Sequence, residues 1–234
     1  MKTEYNMVER GDRLNPSIFS RLHWHLTCLK RQTQRVCEKF LEEKNELRLI
    51  DFGCGNSPYR QIFEPYVEEY LGADLAGNEK ADLTITECGK IQCGDHLADI
   101  VLSAQVLEHV FDPQIYLTEC RRVLRKDGFL ILSTHGTWKF HPDPNDFWRW
   151  TSQGLKKTIQ DHGFEIKYFE GVMGPLATGI QIAQDAIYPA IPAFLRGIFC
   201  LPIQVALRLA DWITSDETRR LDSCVYMMVV RKVD

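Results

Sequence analysis

The segment Leu47–Tyr59, LRLIDFGCGNSPY, constrains the fold of this chain more than any other. Apolar Leu47, Leu49 and Ile50 run into Asp51. Gly53 and Gly55 follow, then Asn56, Ser57 and Pro58. The order reads as a buried strand, a tight turn and the start of a helix. Such a turn offers backbone N–H groups and a helix N-terminus to a ligand.

Further strands are expected at Tyr70–Asp74, Ala81–Ile85, Ala98–Ser103, Gly128–Thr134, Phe164–Phe169 and Ser223–Lys232. Between them, helical spacing appears over Tyr59–Val67, Asp112–Arg125 and Ser152–His162, with Asp127-Gly128 read as the stop of the second helix. Strands alternating with helices predict an α/β domain with a mostly parallel sheet covered on both faces. A basic helical pattern, opened by Pro16 and Ser17 and carried by Ile18, Leu22, Leu26, Leu29, Val36 and Phe40, forms an N-terminal helical cap over 15–46. Residues 1–14 are polar and read as loose.

The 234 residues suit one such domain, 1–234. With 44% apolar and 26% charged residues, the chain can bury an ordinary core. Its net charge of -4 gives no global basic field, so no nucleic-acid partner is expected. Eight scattered cysteines without a CxxC pair read as reduced thiols, and the polar N-terminus lacks an apolar signal core, so a cytoplasmic location is expected.

One segment stands apart. Residues 171–221 lie between the last two strands, and their middle, 186–213, is strongly apolar. Pro189, Pro192 and Pro202 are expected to break it, and Arg196, Arg208 and Asp211 interrupt it, which argues against a simple transmembrane helix. It reads as a helical insertion that caps a cleft or as an amphipathic surface in peripheral contact with a membrane.

A dinucleotide fingerprint would need a third glycine where Pro58 stands. Asp51, two residues before the first glycine, would repel a pyrophosphate and attract a cation. S-adenosylmethionine has an ammonium, a sulfonium, and a carboxylate for the helix N-terminus. Asp74, at the end of the second strand, suits two ribose hydroxyls, with Leu75 beside it; Asp82 and Leu83 fall where an adenine would be held.

The pieces LIDFGCG (49–55), LGADL (71–75), DIVLSAQVLEHVFDP (99–113) and LRKDGFLILSTHG (124–136) resemble the class I S-adenosylmethionine-dependent methyltransferases in order and spacing, over about residues 40–137. The resemblance implies a Rossmann-like seven-stranded sheet with an antiparallel last strand. It also implies a cofactor lying over the ends of the first, second and fourth strands. By position, Asp51, Gly53 and Gly55 hold the methionine part, Asp74 the ribose, Asp82 and Leu83 the adenine, and Ser103, Ala104 and Gln105 the floor.

Methyl transfer from a sulfonium is a displacement that rewards alignment, and a hydroxyl acceptor gains from a base. His135, at the end of the fifth strand, is the first base candidate, His141 the second, and Asp146 completes the cluster in THGTWKFHPDPNDFWRWT (134–151). Glu108-His109 resembles part of an E-x-x-E-H pair that helps bind a divalent metal in some members of the superfamily. Gln105, a neutral and poorer ligand, stands where the first acid would be, so no metal is expected. The HPxPxDFWRWT form resembles methyltransferases of bacterial surface-polysaccharide and glycan pathways, which implies O-methylation of a sugar-type acceptor. Alternatives are a quinone or other aromatic metabolite, and a cofactor-binding regulatory protein without turnover.

Overall fold

The computed structural model describes residues 13–42 and 46–233. Most of the N-terminal stretch read as loose, 1–12, and part of the predicted cap, 43–45, lie outside the described residues. Seven strands form one sheet: β1 (Arg48–Phe52), β2 (Glu69–Leu75), β3 (Leu83–Ile85), β4 (Ala98–Ala104), β5 (Leu124–His135), β6 (Phe164–Val172) and β7 (Val225–Lys232). Their order is β3-β2-β1-β4-β5-β7-β6. β7 runs antiparallel to both β5 and β6, while the pairings from β3 through β5 are parallel. This is the Rossmann-like arrangement expected from the sequence.

Strand alternation divides the core. Leu49, Ile100, Ile131 and Val229 face one side of the sheet, where they meet Leu29, Val36 and Cys37 of helix α1 (His23–Leu41). Ile50, Val101, Leu130 and Val230 face the other, against Leu117 and Cys120 of α3 (Pro113–Val123) and Leu155 and Ile159 of α4 (Ser152–Asp161). Between β1 and β2 the predicted helix is one short turn, α2 (Arg60–Phe63), continued by a 3-10 turn at Glu64–Tyr66.

Three expectations change. First, α1 starts at His23 rather than at Pro16–Ser17, because the Ser17 and Ser20 hydroxyls accept the Phe19 and Leu22 N–H groups and hold local turns instead. Second, Asp127-Gly128 does not end a helix. β5 already begins at Leu124, and Asp127, at φ 60, lies in the irregularity where its register against β4 shifts.

Third, the 171–221 segment begins inside β6, which runs to Val172, and then folds as α5 (Pro175–Ile187), α6 (Arg196–Trp212) and α7 (Asp216–Leu221). Pro189 and Pro192 do separate α5 from α6. Pro202, however, sits inside α6 without ending it. Side-chain bonds from Gln204 and Asp211 to Trp24 of α1 fix the helix beyond the proline. Among the described residues, Ala193–Trp212 is long and apolar enough to cross a bilayer.

Candidate functional site

The parallel strands β1, β2 and β4 end on a common edge, where a doubly wound sheet reverses its strand order and leaves a crevice. A cavity of about 560 Å³ opens there. Asp51, Gly53, Gly55, Asp74 and Leu75 line one wall, and Ala104 and Gln105 lie beneath.

The glycine turn has specific steric causes. Gly53 has φ +81, and a Cβ there would come within 2.8 Å of Val106 Cγ2. The N–H groups of Gly53 and Cys54 both donate to Ala73 O, tying the turn to β2. Asp74 is fixed toward the same turn. Its Oδ2 accepts from Gly55 N–H at 3.0 Å and from Asn78 Nδ2 at 2.7 Å, and its Oδ1 accepts from Leu75 N–H. Asp51 is 2% exposed and accepts a 2.5 Å hydrogen bond from the Tyr70 hydroxyl. Burial pushes its carboxyl up to about 7; the Tyr70 bond opposes the rise and the nearby Asp74 adds to it.

Asp82, Leu83 and Ser103 do not line this cavity. Asp82 accepts from Gly72 N–H at 2.8 Å and faces Arg60, bracing the entry to β3. Leu83 pairs with Ala73 at the start of β3. β3 ends at Ile85, as expected, and the wall beyond it is built by residues 85–89 rather than by Asp82 and Leu83. Ser103 is fully buried and accepts from the Tyr116 hydroxyl at 2.9 Å.

The opposite wall includes His109, His141 and Asn145. Loop 136–150 is stitched across the turn after β4: Phe147 and Trp148 N–H groups donate to Glu108 O, and His109 Nδ1 donates to Asn145 O at 2.5 Å. His141 is held neutral, its imidazole pushed down to about 4 by burial and then by His109, against an upward pull from Asp146. Asp146 does not face the cavity. Its carboxylate receives His141 N–H at 2.8 Å and both terminal nitrogens of Arg149 at 2.6 Å. It therefore positions His141.

His135, expected nearest the reacting methyl, is 1% exposed and stands behind Gln105, whose Nε2 lies 3.0 Å from His135 Nε2. Its ring is parallel to Trp138 at 5.3 Å. Burial drives its pKa well below the usual imidazole range. His135 ends a twelve-residue strand packed against β7 and does not line the cavity; Gln105 and His141, which do, stand between it and the cleft.

Glu108, His135 and His141 each present a ligand atom within 4.8 Å of the others, close enough to share one cation. Glu108 is fully buried; its Oε2 accepts from Thr134 Oγ1, and its Oε1 has no hydrogen-bond partner. Glu108 belongs to the E-x-x-E-H-like stretch, but its joining with His135, at the end of β5, and His141, in the loop after it, shows in no sequence spacing. Arg13 also lines the cavity, from a stretch whose polarity offered no hint of a role.

Residues 50–132 match the family model described as a methyltransferase domain. A ubiquinone biosynthesis O-methyltransferase of Cereibacter sphaeroides is 32% identical over 136 residues, covering 50% of this chain and 55% of that protein. A probable S-adenosylmethionine-dependent methyltransferase of Mycolicibacterium smegmatis is 22% identical, over 69% of this chain and 67% of its own length. This chain thus spans about half the length of the ubiquinone-biosynthesis relatives it matches. Among solved structures, a Haemonchus contortus phosphoethanolamine N-methyltransferase in complex with S-adenosyl-L-methionine superposes with a TM-score of 0.58 at 14% identity, covering 87% of this chain and 53% of that one. A Bacillus halodurans protein titled a putative methyltransferase gives 0.55 at 16%, covering 86% and 99%. The cyclase SpnF gives 0.55 at 18%, covering 86% and 80%, so this fold alone does not determine the chemistry.

Proposed function

We propose that this chain is an S-adenosylmethionine-dependent methyltransferase acting on the oxygen of a small aromatic acceptor of quinone type. The reading rests chiefly on Asp51 and Asp74 flanking the glycine turn on one wall of a single cavity, with neutral His141 on the other. Ionised Asp51 attracts the cofactor's ammonium, and Asp74 presents carboxylate oxygens to its ribose. S-adenosylmethionine held there would supply its methyl group to the acceptor oxygen, leaving as S-adenosylhomocysteine. Alignment across the cavity supplies much of the rate. His141, uncharged at neutral pH, takes the acceptor proton.

The aromatic acceptor takes precedence over the sugar expected from the HPxPxDFWRWT segment. Asp146, which would have met sugar hydroxyls, is spent on His141 and Arg149, and Trp148 Nε1 is bonded to Val110 O. The cavity wall instead carries Val106, Val110, Phe111 and Ile115. The O-methyltransferase relatives point the same way. Peripheral membrane contact through 186–213 belongs to this reading, because quinone-type acceptors partition into lipid.

Calorimetry with S-adenosylhomocysteine, followed by radiolabelled methyl transfer to catechol-type and sugar acceptors, tests it. Binding and transfer to the catechol are expected; no binding overturns the reading, and binding without transfer to any acceptor supports the regulatory alternative. Loss of turnover on chelation, restored by a divalent cation, assigns acceptor activation to the Glu108, His135 and His141 donors as well.

A further inference from the structure

We propose that α5 and α6 form a docking face that lies in the interface of an anionic lipid bilayer. The observation behind it is an inversion of polarity. A helix on a water-facing surface buries apolar residues and exposes polar ones. Here Gln181, Gln184 and Gln204 are at most 5% exposed, whereas Phe194, Ile198 and Trp212 are 82%, 69% and 79% exposed.

The buried polar groups are bonded to the domain. Gln204 accepts from Trp24 N–H at 2.8 Å, and the Gln184 and Gln204 amides both donate to Arg21 O. Asp211 accepts from Gly174 N–H and from the Trp24 indole. On α6 the exposed apolar positions Ile198, Leu201, Val205, Leu209 and Trp212 recur at three- and four-residue intervals, which aligns them along about 20 Å of one face. A contiguous apolar surface of that length is rare on a protein bathed only by water. Phe19, itself exposed, packs beside Gly197 and extends the face at its start.

Charge selects the occupant. The four charged residues of 175–213 are Asp185, Arg196, Arg208 and Asp211. Both acids are buried: Asp185 pairs with Arg21 and Lys139, and Asp211 with Arg219. Arg208 remains exposed, its guanidinium over Trp24 at the flank of α6. The outer face is thus apolar with only cationic charge, the chemistry of an interfacial helix on anionic lipid. It does not call for a spanning helix, because Gln204 and Asp211 tie the inner side of α6 to α1 and to Gly174. The face also lies one ion pair from the acceptor loop, since Asp185 of α5 holds Lys139 at 2.7 Å.

This inference deepens the membrane contact in the proposed function but stands on the two helices alone. The test is flotation of the whole chain with vesicles of phosphatidylcholine, with and without phosphatidylglycerol. The chain is expected to float with the anionic vesicles. Ile198→Glu together with Leu209→Glu lowers partitioning at least about tenfold, with an unchanged far-UV spectrum and unchanged S-adenosylhomocysteine binding. Arg208→Glu reduces only the dependence on phosphatidylglycerol. Emission from Trp212, isolated by comparison with Trp212→Phe, shifts to the blue on vesicle addition. Wild-type protein that stays unbound with both vesicle types overturns the proposal. So does a dimer that Ile198→Glu dissociates while neither vesicle type is bound. Either failure leaves the calorimetric test of methyl transfer intact.

Discussion

The two walls of the cavity are built by different means. The β1–β2 wall is made of backbone: a turn forced by Gly53 and tied to Ala73, with Asp74 fixed by N–H donors and Asp51 by the Tyr70 hydroxyl, all no more than about twenty positions away. The loop 136–150 wall is made of side chains tied across long separations, such as His109 to Asn145 and Phe147 N–H to Glu108 O. The first wall aims its acids into the cavity. The second turns Glu108, His135 and Asp146 inward and leaves His109, His141 and Asp143 facing the cavity. Under the proposed function the first wall would bind the cofactor and the second act on the acceptor, and substitutions on each should divide the same way.

The largest effect is expected at His141. His141→Gln removes the proton acceptor while keeping an amide of similar reach. Turnover should fall by about 10²–10⁴, with S-adenosylhomocysteine affinity unchanged by calorimetry. His135→Gln, by contrast, acts through Gln105 and should cost less turnover, with part of its cost in thermal stability. If His135→Gln proves the more damaging to kcat, the division between the walls is wrong, and the buried imidazole reaches the acceptor by a movement of Gln105.

Asp74→Ala comes next. It removes the acceptor of the Gly55 N–H and Asn78 bonds and the group proposed to meet the ribose. A charged hydrogen-bond partner is worth about 1.5–3 kcal/mol, so cofactor affinity should fall by about ten- to a hundredfold. kcat at saturating cofactor should hold. A fall in kcat with unchanged affinity would transfer Asp74 to the reacting side.

What was readable in advance follows from the same contrast. That Asp51, Gly53, Gly55 and Asp74 would gather at the strand ends was legible because a glycine turn and the strand ends around it are set by local sterics and alternation. The seven-stranded sheet with its antiparallel β7 was implied by the resemblance that LIDFGCG, VLEHV and LRKDGFLIL carry. His135 and Asp146 were misplaced because whether a side chain faces the cleft depends on Gln105 and Arg149, which no periodicity predicts. The end of β3 at Ile85 was read correctly, but Asp82 and Leu83 stand at its start, and that Asp82 would turn to Gly72 N–H and Arg60 is a tertiary pairing that no strand pattern shows. In the 171–221 segment the apolar composition was plain, but not that its polar residues would turn inward toward Arg21 and Trp24.

The smallest effect tests the binding wall alone, through Asp51. Its carboxyl is raised to about 7 by burial, from the ordinary 3.8. In the folded chain it therefore holds a proton that the unfolded chain has already released. That contribution to stability is fully present below pH 3.8 and is lost as pH rises through 7. Binding should run the opposite way, since only the ionised carboxylate attracts the cofactor's ammonium. Affinity for S-adenosylhomocysteine, which keeps that ammonium, should rise between pH 6 and 8, by up to about tenfold per unit below the midpoint. Tyr70→Phe removes the bond that favours the charged form. The midpoint should then move upward by about one unit or less, while affinity well above it approaches the wild-type value. Asp51→Asn should flatten the profile. A slope that persists in Asp51→Asn would assign the titration to another group and leave the glycine turn, rather than the acid before it, as the source of affinity.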